Sequence, residues 1–177
     1  MKLTFLALAL AGTLICTGCS EVITLHPFVT DKDAVQEPRF AGVWVDGDNL
    51  YIVRPDGNSY TVAYSNSDKD SHAVYKLNAK LLKVAGATIL DVPPAEDDAF
   101  RVPAHTPVRV WADGAALRFA FLDSKWLREH AQAELAVEQV NDRWLITSPQ
   151  EAVTRFLLTY AADERAFGKV NTLTRQQ

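Results

Sequence analysis

The chain has 177 residues, 48% of them hydrophobic and 23% charged, with a formal net charge of −4 at pH 7. That length and apolar fraction suit one domain with a core of its own, and the mildly acidic balance argues against nucleic acid or an anionic membrane surface as a partner. Both cysteines, Cys16 and Cys19, lie near the start, so the rest of the chain has no disulfide and no thiolate cluster for a metal.

Met1-Lys2 is followed by an apolar run from Leu3 to Ile15 and then by Cys16-Thr17-Gly18-Cys19-Ser20. A short basic segment and an apolar stretch of this length describe a secretory signal peptide over residues 1–18. The run falls short of the roughly 20 apolar residues that a transmembrane helix needs. Thr17-Gly18-Cys19 resembles the lipobox of bacterial lipoproteins, although Cys16 stands where Leu is usual. The resemblance implies that Cys19 is acylated, with palmitate-type chains, and becomes the mature N-terminus, so the chain's membrane contact is a lipid anchor. Ordinary secretion with a free Cys19 is the alternative. Ser20 resembles the outer-membrane sorting pattern, which implies the periplasmic face of that membrane if the source is Gram-negative. Residues 19–39, with Pro27, Pro38 and the charged patch Asp31-Lys32-Asp33, read as anchor and tether. Residues 40–168 read as a single domain.

The domain opens with a meander. Ala41 to Val45, Leu50 to Val53 and Tyr60 to Tyr64 are apolar runs separated by turns containing Asp46-Gly47 and Asp56-Gly57. Asp-Gly between such runs signals a hairpin, because a primed turn needs positive φ and glycine adopts it without strain. Registered on those turns, one face carries Val43, Val45, Leu50, Ile52 and Ala63. The other carries Trp44, Tyr51, Val53, Tyr60, Val62 and Tyr64. Neither face is polar, so the sheet must be covered on both sides or curled around something.

A longer polar turn at 65–71 leads to a strand-like run from Ala73 to Val84, a turn at Ala85-Gly86, and Thr88 to Val92. Pro93-Pro94 stops that strand, because proline cannot donate to a ladder. After an acidic crossover with Glu96-Asp97-Asp98, a second hairpin flanks Asp113-Gly114. Its register puts Val108, Val110, Leu117, Phe119 and Phe121 on one face and Arg109, Trp111, Ala116, Arg118 and Ala120 on the other. Asp123-Ser124 starts a short helix with Trp126, Leu127, His130 and Ala131 at helical spacing. A third hairpin turns at Asn141-Asp142. Ser148-Pro149-Gln150-Glu151 then offers an N-cap, a proline at the first helical position and a capping-box glutamate. The following C-terminal helix is amphipathic, with Val153, Phe156, Leu157, Tyr160 and Ala161 on one stripe, and the helix or a broken second turn ends near Gly168. Residues 169–177 read as a flexible tail. The expected fold is mainly β with helices (α+β): an antiparallel up-and-down meander forming a curled sheet or barrel, plus the C-terminal helix.

Gly42-Val43-Trp44 on the first strand resembles the Gly-x-Trp of the lipocalins, which build meanders of this kind. The resemblance implies a lipocalin-like barrel whose Trp packs at the closed end under an arginine from a late strand, and Arg118 or Arg143 is the expected partner. The order of elements, with Pro-x-His-Thr, Asp-x-x-Trp-Leu and a late capped helix, is also similar to a group of uncharacterised bacterial lipoproteins. That likeness implies a cell-envelope address and no known reaction.

Trp44, Tyr51, Tyr60 and Tyr64 form an aromatic face with polar tips, suited to a greasy wall that orients a small apolar ligand. The alternative is that the helix from Val153 to Ala161 packs on that face. His105, in Pro103-Ala104-His105-Thr106-Pro107, would need a carboxylate and a hydroxyl beside it to act as a hydrolase base, and no Gly-x-Ser-x-Gly supplies a nucleophile. His26, His72, His105 and His130 are too scattered in sequence for a zinc site. Asn66, Asp68 and Asp70 alternate like a calcium loop, but Ser71 and Leu77 stand where Gly and Glu are required. The reading is a non-catalytic envelope protein that needs no cofactor and binds a small apolar ligand or, alternatively, serves another envelope protein as a structural or assembly partner.

Overall fold

The computed structural model describes residues 21–65, 74–84, 86–93, 104–131 and 133–176. The signal segment with Cys19, His72, the Asn66-Asp68-Asp70 pattern and the acidic run at 96–98 lie outside them. The strands are β1 (Val22–Thr24), β2 (Ala34–Val35), β3 (Gly42–Asp46), β4 (Asn49–Asp56), β5 (Ser59–Ser65), β6 (Val74–Val84), β7 (Ala87–Val92), β8 (Thr106–Asp113) and β9 (Ala116–Phe121). Helix α1 (Ser124–His130), β10 (Val137–Val140), β11 (Arg143–Ile146), helix α2 (Gln150–Tyr160) and β12 (Asn171–Arg175) complete the chain.

Eight strands close into an antiparallel barrel. Their order is β6-β5-β4-β3-β12-β9-β8-β7, and β7 pairs back onto β6. Strand β6 is long enough to serve two neighbours, with Val74 to Ala79 on β5 and Lys80 to Val84 on β7. The small strand β2 takes the edge that β5 leaves free, pairing Ala34 with Leu82. The turns behave as their Asp-Gly sequences require, with Gly47 and Gly57 at φ +56° and +54°.

The meander register is the one read from the sequence. Trp44 lies opposite Tyr51, Tyr51 opposite Tyr64, and Val53 opposite Val62. The second hairpin is likewise in register, with Val110 opposite Phe119 and Val108 opposite Phe121. Both apolar faces so defined point into the barrel. Successive side chains of a strand alternate across it, so the rest of each strand faces out.

The outer wall of β6 to β9 is covered by a second layer. Leu82, Ala87, Ile89 and Ala120 form one core with Trp126 and Leu127 of α1, Val153, Phe156 and Leu157 of α2, and Ile146 of β11. Each valine, leucine, isoleucine or phenylalanine among them contributes about 1.5–3 kcal/mol by leaving water. Asp123 caps α1 by accepting a hydrogen bond from the Trp126 N–H at 2.7 Å. A small sheet, β1-β11-β10, completes the layer, with β1 parallel to β11.

Three sequence expectations are corrected. Residues 169–177 are not a flexible tail throughout, because β12 fills the gap between β3 and β9 and closes the barrel. Residues 21–39 do not form a free tether: Phe28 and Val29 are fully buried in the outer core, and β1 and β2 are paired. Helix α2 is not the C-terminal element, and it ends at Tyr160, with a 3₁₀ turn at Glu164–Ala166 after it. Its cap also differs. Pro149 is the N-cap residue, and the Ser148 hydroxyl accepts from the Ala136 N–H at 2.7 Å, so the tertiary contact takes the oxygen that local sequence assigns to the helix.

Candidate functional site

One end of the barrel is built shut. A 3₁₀ turn at Pro38–Phe40 leads into β3, and buried Phe40 faces the barrel interior. The Trp44 indole N–H donates to the Phe40 carbonyl at 2.8 Å, and the ring is fully buried. Over that ring, 4.3 Å from its centroid, lies the guanidinium of Arg175 from β12. Its two terminal nitrogens donate to the carbonyls of Ala41 (3.1 Å) and Arg39 (2.8 Å). Gly42 makes the approach possible: a Cβ there would sit 2.6 Å from Arg175 Nη1, and its φ of +148° suits glycine alone. The arginine over Trp44 is therefore Arg175. Arg118 instead pairs with Asp113 at 3.0 Å and Arg143 with Glu21 at 3.1 Å. Arg118 points outward by its alternation on β9, and Arg143 stands on β11, which is not a barrel strand.

Tyr60 is part of the same closure. Its hydroxyl accepts from the Glu37 N–H at 2.6 Å and lies 3.0 Å from the Glu37 carbonyl. Burial pushes its pKa up, and the Glu37 carboxylate adds to the rise.

Above this floor the barrel holds a cavity of about 290 Å³. Its walls are almost wholly hydrocarbon: Val53 and Val62 of the meander, Leu77 of β6, Leu90 of β7, Val108 and Val110 of β8, and Leu117 and Phe119 of β9 all line it. Tyr51 and Tyr64 stand on the same wall with ring centroids 4.8 Å apart, and Tyr75 stacks on Tyr64 at 6.1 Å. These three are successive cross-strand partners on β4, β5 and β6, so the ladder itself sets the stack. Burial pushes the Tyr51 phenol up to about 12, with the neighbouring Tyr64 and the Asp46 carboxylate adding to it. Among the described residues, no hydrogen bond is made by the Tyr51 or Tyr64 hydroxyl. Glu21, Thr106 and half-exposed Phe121 lie at the other end of the lining.

Of the four expected binding residues, Tyr51, Tyr60 and Tyr64 line the cavity, and Trp44 is sealed beneath it. Helix α2 packs on the opposite side of the barrel wall, so it does not cover the aromatic face.

No family model, curated protein or solved structure matches the chain.

A second polar group lies outside the barrel wall. Asp91 of β7 is buried, and its Oδ1 is 2.7 Å from His105 Nδ1. Its Oδ2 accepts from the backbone N–H groups of Phe28 (3.2 Å) and Val29 (3.3 Å). His105 is further fixed by backbone bonds to and from Thr24. The carboxylate that a histidine base requires is present, but among the described residues no hydroxyl bonds the ring. What this arrangement does is fasten the segment before the barrel to β7. Sequence reasoning missed Asp91, because the pair spans two strands, and missed Tyr75, which a polar stretch separates from the meander. Among the described residues there is no group of three or more His, Cys, Asp or Glu placed to hold a metal ion.

Proposed function

We propose that this protein is a lipid-anchored envelope protein that binds a small apolar ligand inside its barrel in the manner of a lipocalin. The single observation that carries the reading is the cavity: about 290 Å³ of nearly hydrocarbon-walled space above a purpose-built floor. A well-packed domain leaves few voids larger than a water molecule, and concave apolar sites with a few polar groups are what small ligands fill. The resemblance of Gly42-Val43-Trp44 to the lipocalin motif is strengthened by Arg175, which lies over Trp44 from the strand that closes the barrel. Cys19 as the acylated residue, and the outer membrane as the address, rest on the lipobox resemblance alone.

Native mass spectrometry of the protein purified without detergent tests this. A reproducible extra mass that disappears on denaturation is the expected result. A clean apo mass, together with no uptake of a neutral apolar fluorophore, would overturn it.

A second reading, service as an assembly partner, draws on the outer face of β3 to β5. Val43, Val45, Leu50, Ile52 and Ala63 are each only half-buried there and belong to neither core. Crosslinking in the native membrane through that face, with the cavity blocked, distinguishes it.

A further inference from the structure

The cavity's described charges say what kind of ligand it takes. All eight barrel strands contribute described residues, and among the described residues that line the cavity only Glu21 is charged. None of the arginines of the barrel strands serves the cavity: Arg54 has the outward parity of Leu50 and Ile52 on β4, Arg109 lies against Trp111 and Phe167 on the outer wall, Arg118 pairs with Asp113, and Arg175 is held by carbonyls in the floor. At the rim two carboxylates approach the inner face, one of them paired with Arg143. Glu21 lines the cavity, and Asp46 shares the inner face of β3 with Trp44. Glu21 is already compensated by Arg143. A carboxylate or phosphate entering this space would face Glu21, and burying an uncompensated charge of either sign is costly. Tyr51, by contrast, lines the cavity with a hydroxyl that no described residue bonds, and a phenol is a neutral donor at neutral pH.

We infer, building on the ligand-binding reading above, that the cavity selects an uncharged amphiphile whose one hydrogen-bond acceptor meets the Tyr51 hydroxyl. Size follows from volume. An apolar cavity of roughly 150 Å³ takes one benzene, so about 290 Å³ has room for about ten to twelve carbons. A medium-chain alcohol or a two-ring terpenoid alcohol fits; the matching carboxylate does not.

The test is displacement of the neutral fluorophore N-phenyl-1-naphthylamine from the full chain by decanol, decanoate and decylamine at pH 8. Decanol is expected to compete at least about tenfold better than either charged analogue, the factor that one modest interaction difference supplies. Tyr51→Phe is expected to weaken decanol about fivefold, as loss of one hydrogen bond does. Glu21→Gln, which frees Arg143, is expected to shrink the decanol-to-decanoate ratio to about threefold or less, since it removes a like charge facing the anion. Fluorophore binding with decanoate or decylamine equal to decanol would overturn the selectivity and leave the cavity reading standing. An unchanged ratio in Glu21→Gln would also overturn it. No binding of fluorophore or decanol would overturn both.

Discussion

The contact between Gly42 and Arg175 makes a sharp quantitative prediction. Gly42→Ala places a methyl 2.6 Å from Nη1 and 3.2 Å from Cζ of Arg175, so the guanidinium must leave. It then loses two half-exposed hydrogen bonds to carbonyls, about 1 kcal/mol each, and its place over Trp44, about another 1 kcal/mol. The backbone strain of alanine at φ +148° adds about 2 kcal/mol. Gly42→Ala should thus cost about 5 kcal/mol and Arg175→Met about 3 kcal/mol, by the same contact and strain values. Because both remove the same contact, the double variant should cost about 5 kcal/mol, a coupling of about 3 kcal/mol. Urea denaturation of the four proteins reads this directly. A simple sum near 8 kcal/mol, which approaches the whole stability of many domains, would leave the double variant unfolded where Gly42→Ala is folded. That outcome would show that the glycine does not serve the arginine.

Three further outcomes are expected. Val62→Trp fills the cavity from its wall and should abolish uptake of a neutral apolar fluorophore while shifting stability by no more than about 1–3 kcal/mol, read by fluorescence titration and urea melts. Asp91→Ala strands the Phe28 and Val29 N–H groups and His105 without their acceptor, and should cost about 3–5 kcal/mol, with early proteolysis before residue 40; Asp91→Asn, which keeps an acceptor oxygen, should recover part of this. The Tyr51 phenol is raised from 10 to about 12, so its contribution to stability is complete below pH 10 and is lost as pH climbs towards 12. Its partial exposure brings that contribution down to about 1 kcal/mol, and Tyr51→Phe should remove the latest step in a phenolate absorbance titration.

The hairpins and both inner faces were legible because a period of two and an Asp-Gly turn are local signals: Trp44, Tyr51 and Tyr64 can be aligned by counting outward from Gly47 and Gly57. Strand β12 was not. Asn171-Thr172-Leu173-Thr174-Arg175 has one apolar residue, and its strand character comes from β3 and β9, which supply hydrogen bonds from far along the chain. Arg175 escapes sequence reading for the same reason, whereas Arg118 and Arg143, the two expected partners, lie in hairpins that local signals reveal. Phe28 and Val29 carry no periodicity, so their burial appears only once Asp91 is seen to receive their N–H groups. Helix α2 was legible from its stripe, but its position before a last strand was not.

The closing strand also sets an order of events. Arg175 reaches Ala41 across 134 positions of sequence, so strands β3 and β9 stay unpaired on one side until the chain beyond Asn171 is available to them. Without it the remaining strands would form at most a curved sheet with two bare edges, the condition in which chains pair with one another rather than with themselves. Forming so distant a contact is also slow. During synthesis the cavity therefore does not exist as a compartment. It comes into being in one late step, when the final strand seats and the floor locks.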